Sequence, residues 1–296
     1  IFNLLFVPTQ GGGMEIIMIN NVININVDYA AMGVKPSPRQ TTLTTYILDN
    51  RNIIDSGNAN RPAVIVCPGG GYEFTSPREA EPIALKYCAA GFHAFVLDYS
   101  IAPSSWPAAV CELSKAVSYV RKIADEHKID KNKIFVAGFS AGGHLVASLG
   151  VHWNHPDVIK YSGISDGSNR PNGIILGYPV ITGEEGRTHM GTINNFIGGR
   201  DSVEPLAWLE KHVSDKTPQA FIWHTYTDNA VPVVSALRFA NALEENNVKF
   251  EMHIYPDGQH GLATSDYITC TEGMRVPAVT NWIDMSVRWI NDFKEQ

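Results

Sequence analysis

The sequence has no C-x-x-C pair: its four cysteines, Cys67, Cys88, Cys111 and Cys270, are scattered along the chain. Such spacing argues against a disulfide framework or a zinc site and for reduced, buried thiols in a cytoplasmic protein. Long basic clusters are also missing, and 23 Lys and Arg against 30 Asp and Glu leave a formal net charge of −7. Nucleic acid and anionic membranes are thereby excluded as main partners, and a neutral or cationic small molecule is the expected ligand. No apolar run approaches the ~20 residues needed to span a bilayer. Fixed-period repeats and low-complexity tracts are absent, and no residue pattern calls for a metal or a cofactor.

What is present is an ordinary globular composition, 44% hydrophobic and 18% charged over 296 residues, enough for one large α/β domain. Ile1 to Gly13 precedes the first methionine and ends in three glycines. It reads as an appended tail outside the fold, which leaves 14–296 as a single domain. From Glu15 to Val27 and again from Thr41 to Asp49 the residues are β-rich and suit an antiparallel pair at a sheet edge. Asp49 to Arg61 is a turn. Ala63 to Cys67 is a continuous apolar run of the kind buried on both faces. Helical and strand patterns then alternate: helices over about 79–90, from 107, over 232–243 and over 277–293, and strands over 92–98, 133–137, 173–180, 220–224 and 249–255. This rhythm implies right-handed βαβ units and a mainly parallel, doubly wound sheet of about eight strands with helices on both faces. Only 182–217 breaks it, as an excursion with short helices above the strand ends. The two tryptophans of the last helix read as core anchors.

The chain is organised around Gly138-Phe139-Ser140-Ala141-Gly142, set between a strand and a helix. A Gly-x-Ser-x-Gly run in that setting fits a nucleophile elbow, with the serine strained, exposed and next to a helix N-terminus. A serine hydroxyl needs a base, and the base an acid to fix its tautomer. In an open parallel sheet these partners lie at the carboxyl ends of strands. Asp228 and His260 follow the 220–224 and 249–255 strands, in the chain order Ser, Asp, His expected of this arrangement. Asp257 is the rival acid and His224 the rival base. Gly70 and Gly71 at the end of the 63–67 strand, with Ala141 after the serine, are the candidate oxyanion-hole donors.

Five ordered segments carry a resemblance: Pro68-Gly69-Gly70-Gly71-Tyr72, Asp98 to Pro103, Gly138 to His144, Asp228 to Pro232 and Gly258 to Gly261. Together they resemble the α/β-hydrolase esterase/lipase group related to hormone-sensitive lipase, and within it the bacterial carbohydrate-esterase-like members described as acetyl xylan esterases. The resemblance runs from about Ala63 to the C-terminus and implies an α/β-hydrolase fold and a cofactor-free serine esterase. One departure is that Pro68 stands where the His-Gly-Gly-Gly oxyanion motif has histidine. With few residues before Ala63 to build a cap, short acyl groups are expected, acetyl groups on xylo-oligosaccharides or other sugars among them. Tyr72, Ser104, Trp106 and Tyr226, in loops after strands, are the residues expected to hold the sugar. A serine peptidase and a non-catalytic binding protein on the same fold are the alternatives. The latter would require a lost triad member, and all three candidates are present.

Overall fold

The computed structural model describes residues 3–8, 14–49 and 60–295. Ten strands form one sheet. They are β1 Asn3–Pro8, β2 Met14–Asn20, β3 Val22–Asn24, β4 Thr42–Leu48, β5 Arg61–Cys67, β6 His93–Asp98, β7 Ile129–Phe139, β8 Gly173–Gly177, β9 Gln219–Thr225 and β10 Phe250–Tyr255. Their spatial order is β1-β2-β4-β6-β5-β7-β8-β9-β10, with β3 also on β4. From β6 to β10 every neighbour is parallel, while β1, β2, β3 and β4 form an antiparallel margin. Two strands more than expected come from this margin. Asn3–Pro8, left outside the fold on sequence grounds, pairs along β2 as its outermost strand. The anticipated turn over 49–61 lies largely outside the described residues.

The apolar runs are explained by burial on both faces. In β5, Ala63, Ile65 and Cys67 belong to one core and Val64 and Val66 to the other, and β7 and β9 alternate in the same way. Helices Ala108–Lys122, Ala141–His152 and Val234–Glu245 cover the first face, and Glu81–Ala89 and Trp282–Asp292 the second. In Ala108–Lys122 the buried Val110, Leu113, Val117 and Val120 recur at helical spacing, as a one-sided apolar stripe requires. Trp282 is fully buried, with its indole N–H donated to Ala263 O at 2.8 Å. Among the described residues no helix is long and apolar enough to cross a membrane.

Helix Ala141–His152 is buried along nearly its whole length. The 182–217 segment, which contains helix Met190–Ile197 and two 3-10 turns, lies over its outer side. His144 Nε2 donates to Ala207 O at 3.3 Å and His152 Nε2 to Leu206 O at 3.1 Å. Burial lowers the His144 imidazole to about 4 and that of His152 to about 3; His93, enclosed under the antiparallel margin, is lowered to about 4, again chiefly by burial. Between those values and the unfolded pKa near 6.5, only the unfolded chain takes up protons, so stability falls as pH falls through this window. Each histidine contributes a slope of about 1.4 kcal/mol per pH unit there. Urea midpoints should therefore drop markedly from pH 7 to pH 5; an unchanged midpoint would mean these rings are protonated in the fold.

Candidate active site

Strand β7 ends beside the carboxyl ends of β5 and β8, and Ser140 is the next residue after it. Its backbone has φ 54° and ψ −118°, a conformation that L residues adopt only under constraint. The constraint is visible: Ser140 N–H donates to Gly177 O at 3.1 Å, and Ser140 O accepts from His144 N at 3.0 Å and Val180 N at 3.2 Å. The turn also needs room. A Cβ on Gly142 would lie 2.1 Å from Cys67 O and 2.5 Å from Pro68 O, both backbone atoms that cannot swing aside. Gly142→Ala should therefore cost about 3 kcal/mol of stability by forcing helix and strand apart. An unfolding midpoint equal to the wild type would show that the elbow relaxes freely.

Asp228 and His260 lie beyond the ends of β9 and β10, which pair in parallel. His260 Nε2 is 2.8 Å from Ser140 Oγ, and His260 Nδ1 is 2.7 Å from Asp228 Oδ2. A carboxylate only accepts, so Nδ1 carries the proton and Nε2 is left to accept from the serine hydroxyl. The other oxygen of Asp228, Oδ1, accepts from the amides of Ala230 and Val231, each at 2.9 Å. Burial by itself would raise the Asp228 carboxyl. Hydrogen bonds from His224 and His260, the His260 charge and the Val231 amide more than reverse this and hold it far below the usual carboxylate range. The Asp228 side chain has no solvent exposure, whereas that of His260 keeps 21%.

Neither rival stands in this relay. Asp257 is exposed and makes no hydrogen bond to His260. His224 is buried on the far side of the acid, with Nε2 2.9 Å from Val231 O and 3.4 Å from Asp228 Oδ2, and it has no bond to Ser140.

A cleft of about 500 Å³ opens over Ser140 and His260, with Gly70 and Gly71 in its wall. Among the described residues, no protein acceptor takes the amides of Gly70, Gly71 or Ala141, whereas the Gly69 amide is bound by Glu79 Oε2 at 2.8 Å. Tyr99, within the second of the five segments, donates its hydroxyl to Pro68 O at 2.6 Å. Asn195 Nδ2, from the excursion, donates to Gly71 O at 2.9 Å.

The expected sugar-holding residues fall elsewhere. Tyr72 is 3% exposed; its hydroxyl pairs with His144 Nδ1 at 3.1 Å and its ring packs on Tyr99 and Phe196. Trp106 is 2% exposed and packs edge-on against His152 and His155. Both rings are core, because a place in a loop after a strand does not say which way a side chain turns. Ser104 is buried as well. Tyr226 is exposed but does not line the cleft. In their place the rim carries Phe74, Arg78 and His189, and the inner wall Glu79. Sequence reasoning passed over these four. Phe74 alone had a usable signal, an aromatic three residues beyond the triglycine.

A family model described as BD-FAE matches residues 53–243. Endo-1,4-beta-xylanase B of Butyrivibrio fibrisolvens is 37% identical over 227 residues, covering 72% of this chain and 34% of the xylanase. The acetylxylan esterase of Xylanibacter ruminicola is 29% identical over 211 residues, covering 69% of this chain and 42% of the esterase. The chain thus spans less than half the length of these two curated relatives. Among solved structures, the acetyl ester-xyloside bifunctional hydrolase from Caldicellulosiruptor lactoaceticus superposes with a TM-score of 0.76 at 32% identity, covering 92% of this chain and 95% of that one. The doubly wound sheet with its serine elbow is an α/β-hydrolase fold.

Proposed function

The chain belongs to the BD-FAE family, and we propose that it is a serine carboxylic ester hydrolase acting on short acyl esters, acetylated xylose-containing sugars foremost. The observation that carries this reading is the unbroken relay from Ser140 Oγ through His260 to Asp228, beside backbone amides that, among the described residues, no protein acceptor takes.

In this reading Ser140 Oγ attacks the ester carbonyl carbon while His260 Nε2 takes the hydroxyl proton. Asp228 holds the imidazole in the required tautomer and stabilises its charged form. The carbonyl oxygen, now an oxyanion, receives N–H donors from Gly70, Gly71 and Ala141. Collapse of the tetrahedral species breaks the bond to the alcohol oxygen, which leaves with the proton from His260, and Ser140 stays acylated. Water then repeats the sequence, giving its proton to His260, and the carboxylic acid is released with the serine restored.

Substrate class follows from the cleft lining. Glu73, Ser76, Arg78, Glu79 and His189 set polar groups around a surface that is mostly apolar by area, to which Phe74, 56% exposed, contributes an aromatic face. That lining offers hydrogen bonds and a stacking surface to a sugar and no long apolar tunnel to a fatty acyl chain. Acetyl esters should be cleaved at least ~10-fold faster than octanoyl esters, because an open cleft of about 500 Å³ gives the outer methylenes of a longer chain no enclosed pocket in which to be buried. Acetate release from acetylated xylo-oligosaccharides should also be detectable. Phe74→Ala should raise KM for those sugars about fivefold, and more than it does for p-nitrophenyl acetate. Equal turnover of acetyl and octanoyl p-nitrophenyl esters would overturn the short-acyl claim, and activity on simple acetyl esters with none on any acetylated sugar would remove the sugar.

A further inference from the structure

The glycine turn that follows β5 and the loop that carries His260 are linked through one buried acid and the tyrosine it accepts from. We propose that Glu79 is a positioning residue that locks the Gly69–Gly71 turn and the His260 loop into one fixed relation; this rests on the serine-esterase reading above. Glu79 is 3% exposed and ends a single 3-10 turn, Pro77–Glu79, behind the cleft. Both of its oxygens are engaged. Oε2 accepts the Gly69 amide at 2.8 Å, and Oε1 accepts the Tyr178 hydroxyl at 2.6 Å. The same Tyr178 oxygen accepts the Ala263 amide at 3.0 Å, three residues beyond His260. The Tyr178 ring stands edge-on to the His260 imidazole, 5.0 Å between centroids at 72°. Burial, then the Glu79 charge, pushes the Tyr178 hydroxyl well above its ordinary range, which keeps it a donor to the carboxylate.

Two further observations tighten the arrangement. A Cβ on Gly69 would lie 2.7 Å from Glu79 Oε2 and 2.9 Å from Ser140 Cβ, so carboxylate and serine close on the same glycine. The preceding residue, Arg78, donates Nη1 to Gly261 O at 3.1 Å and to Thr269 O at 2.8 Å. Consecutive side chains of one turn thereby reach both loops that flank the reacting serine. A buried carboxylate is expensive unless its lone pairs are satisfied, and apolar contacts fill a wall at lower cost. Here the two donors it collects belong to the two halves of the site.

The test uses Glu79→Gln and Tyr178→Phe in the full chain. Glutamine has one acceptor where two donors converge, so either the Gly69 amide faces an NH₂ group or the Tyr178 hydroxyl must turn its proton away from residue 79 and accept instead, and the lock is altered in both cases. The rate constant for labelling of Ser140 by a fluorophosphonate, whose phosphonyl oxygen needs the same amides, should fall about 10- to 100-fold in Glu79→Gln. The kcat for p-nitrophenyl acetate should fall by the same factor, with KM within about twofold, since donors that bind only the transition state are displaced. Tyr178→Phe, which deletes one hydroxyl, should lose about 3- to 10-fold, and the double variant should be no worse than Glu79→Gln alone, because the two act as one unit. Should Glu79→Gln not fold, Tyr178→Phe decides. Labelling and kcat within twofold of the wild type in the folded variants, or losses that vanish on cooling below the unfolding midpoint, would overturn the inference. Ser140→Ala separates the two readings. Full activity there sinks the esterase and this inference together, whereas an inactive Ser140→Ala beside an unimpaired Glu79→Gln sinks the positioning role alone.

Discussion

Ser140→Ala should lower kcat on acetyl esters by about 10³-fold or more and leave the unfolding midpoint nearly unchanged. The hydroxyl is the only group removed: the backbone bonds to Gly177, His144 and Val180 that pin residue 140 do not involve the side chain. Alanine keeps the Cβ and therefore the strain of a positive φ, so it neither gains nor loses on that account. Ser140→Gly provides the contrast. It should be equally inactive yet about 1 kcal/mol more stable, because glycine adopts φ 54° without the Cβ penalty. Steady-state rates beside urea midpoints read both effects. A Ser140→Ala enzyme that retains ester turnover would remove the nucleophile, and covalent labelling of any other serine by a fluorophosphonate would do the same.

Asp228→Asn should cost about 10⁴-fold in kcat, through a mechanism that the geometry specifies. Oδ1 of Asp228 is held by two backbone amides, both donors, so the carbonyl oxygen of an asparagine has to occupy that place. Its NH₂ group then faces His260 Nδ1, where the wild type has an acceptor. The imidazole can meet a donor only with Nδ1 unprotonated, and its proton moves to Nε2, which then donates toward Ser140 instead of accepting from it. The general base is lost without any atom being displaced. Asp257→Asn, on an exposed loop residue that touches none of the three, should stay within threefold of the wild type. Measuring the two variants side by side is decisive: full activity in Asp228→Asn with loss in Asp257→Asn would reverse the assignment of the acid.

The sheet was readable because strands buried on both faces leave runs such as Ala63 to Cys67, which no amphipathic helix or one-sided strand would carry. The Ser140, Asp228 and His260 grouping was readable for a related reason: each residue follows an apolar run closely, and the carboxyl ends of parallel strands gather at one edge. What escaped was everything set by side-chain direction. Tyr72 has φ 59°, which turns its ring inward to His144 and Phe196, and no local pattern announces that. Trp106 likewise disappears under the excursion. Glu79 looks like any acid before a helix, because its partners, Gly69, Tyr178 and through it Ala263, come from three distant segments. The pairing of Asn3–Pro8 with β2 was missed because the glycines at 11–13 read as an end to the fold.

The long reach of the relay has a consequence for the history of each molecule. Ser140 and His260 are 120 residues apart, and Asp228 and His260 are 32 apart, with His260 following the outermost parallel strand. A chain made from its N-terminus can complete β5 to β8 and their helices while the imidazole that would awaken the serine has yet to be synthesised. Contacts across such separations are also the slowest to close. If Ser140 and His260 act as proposed, a copy in which His260 has not docked should be hydrolytically silent. On the serine-esterase reading, ester cleavage should therefore appear only after β10 and the loop that follows it have docked, later than the closure of β5 to β8.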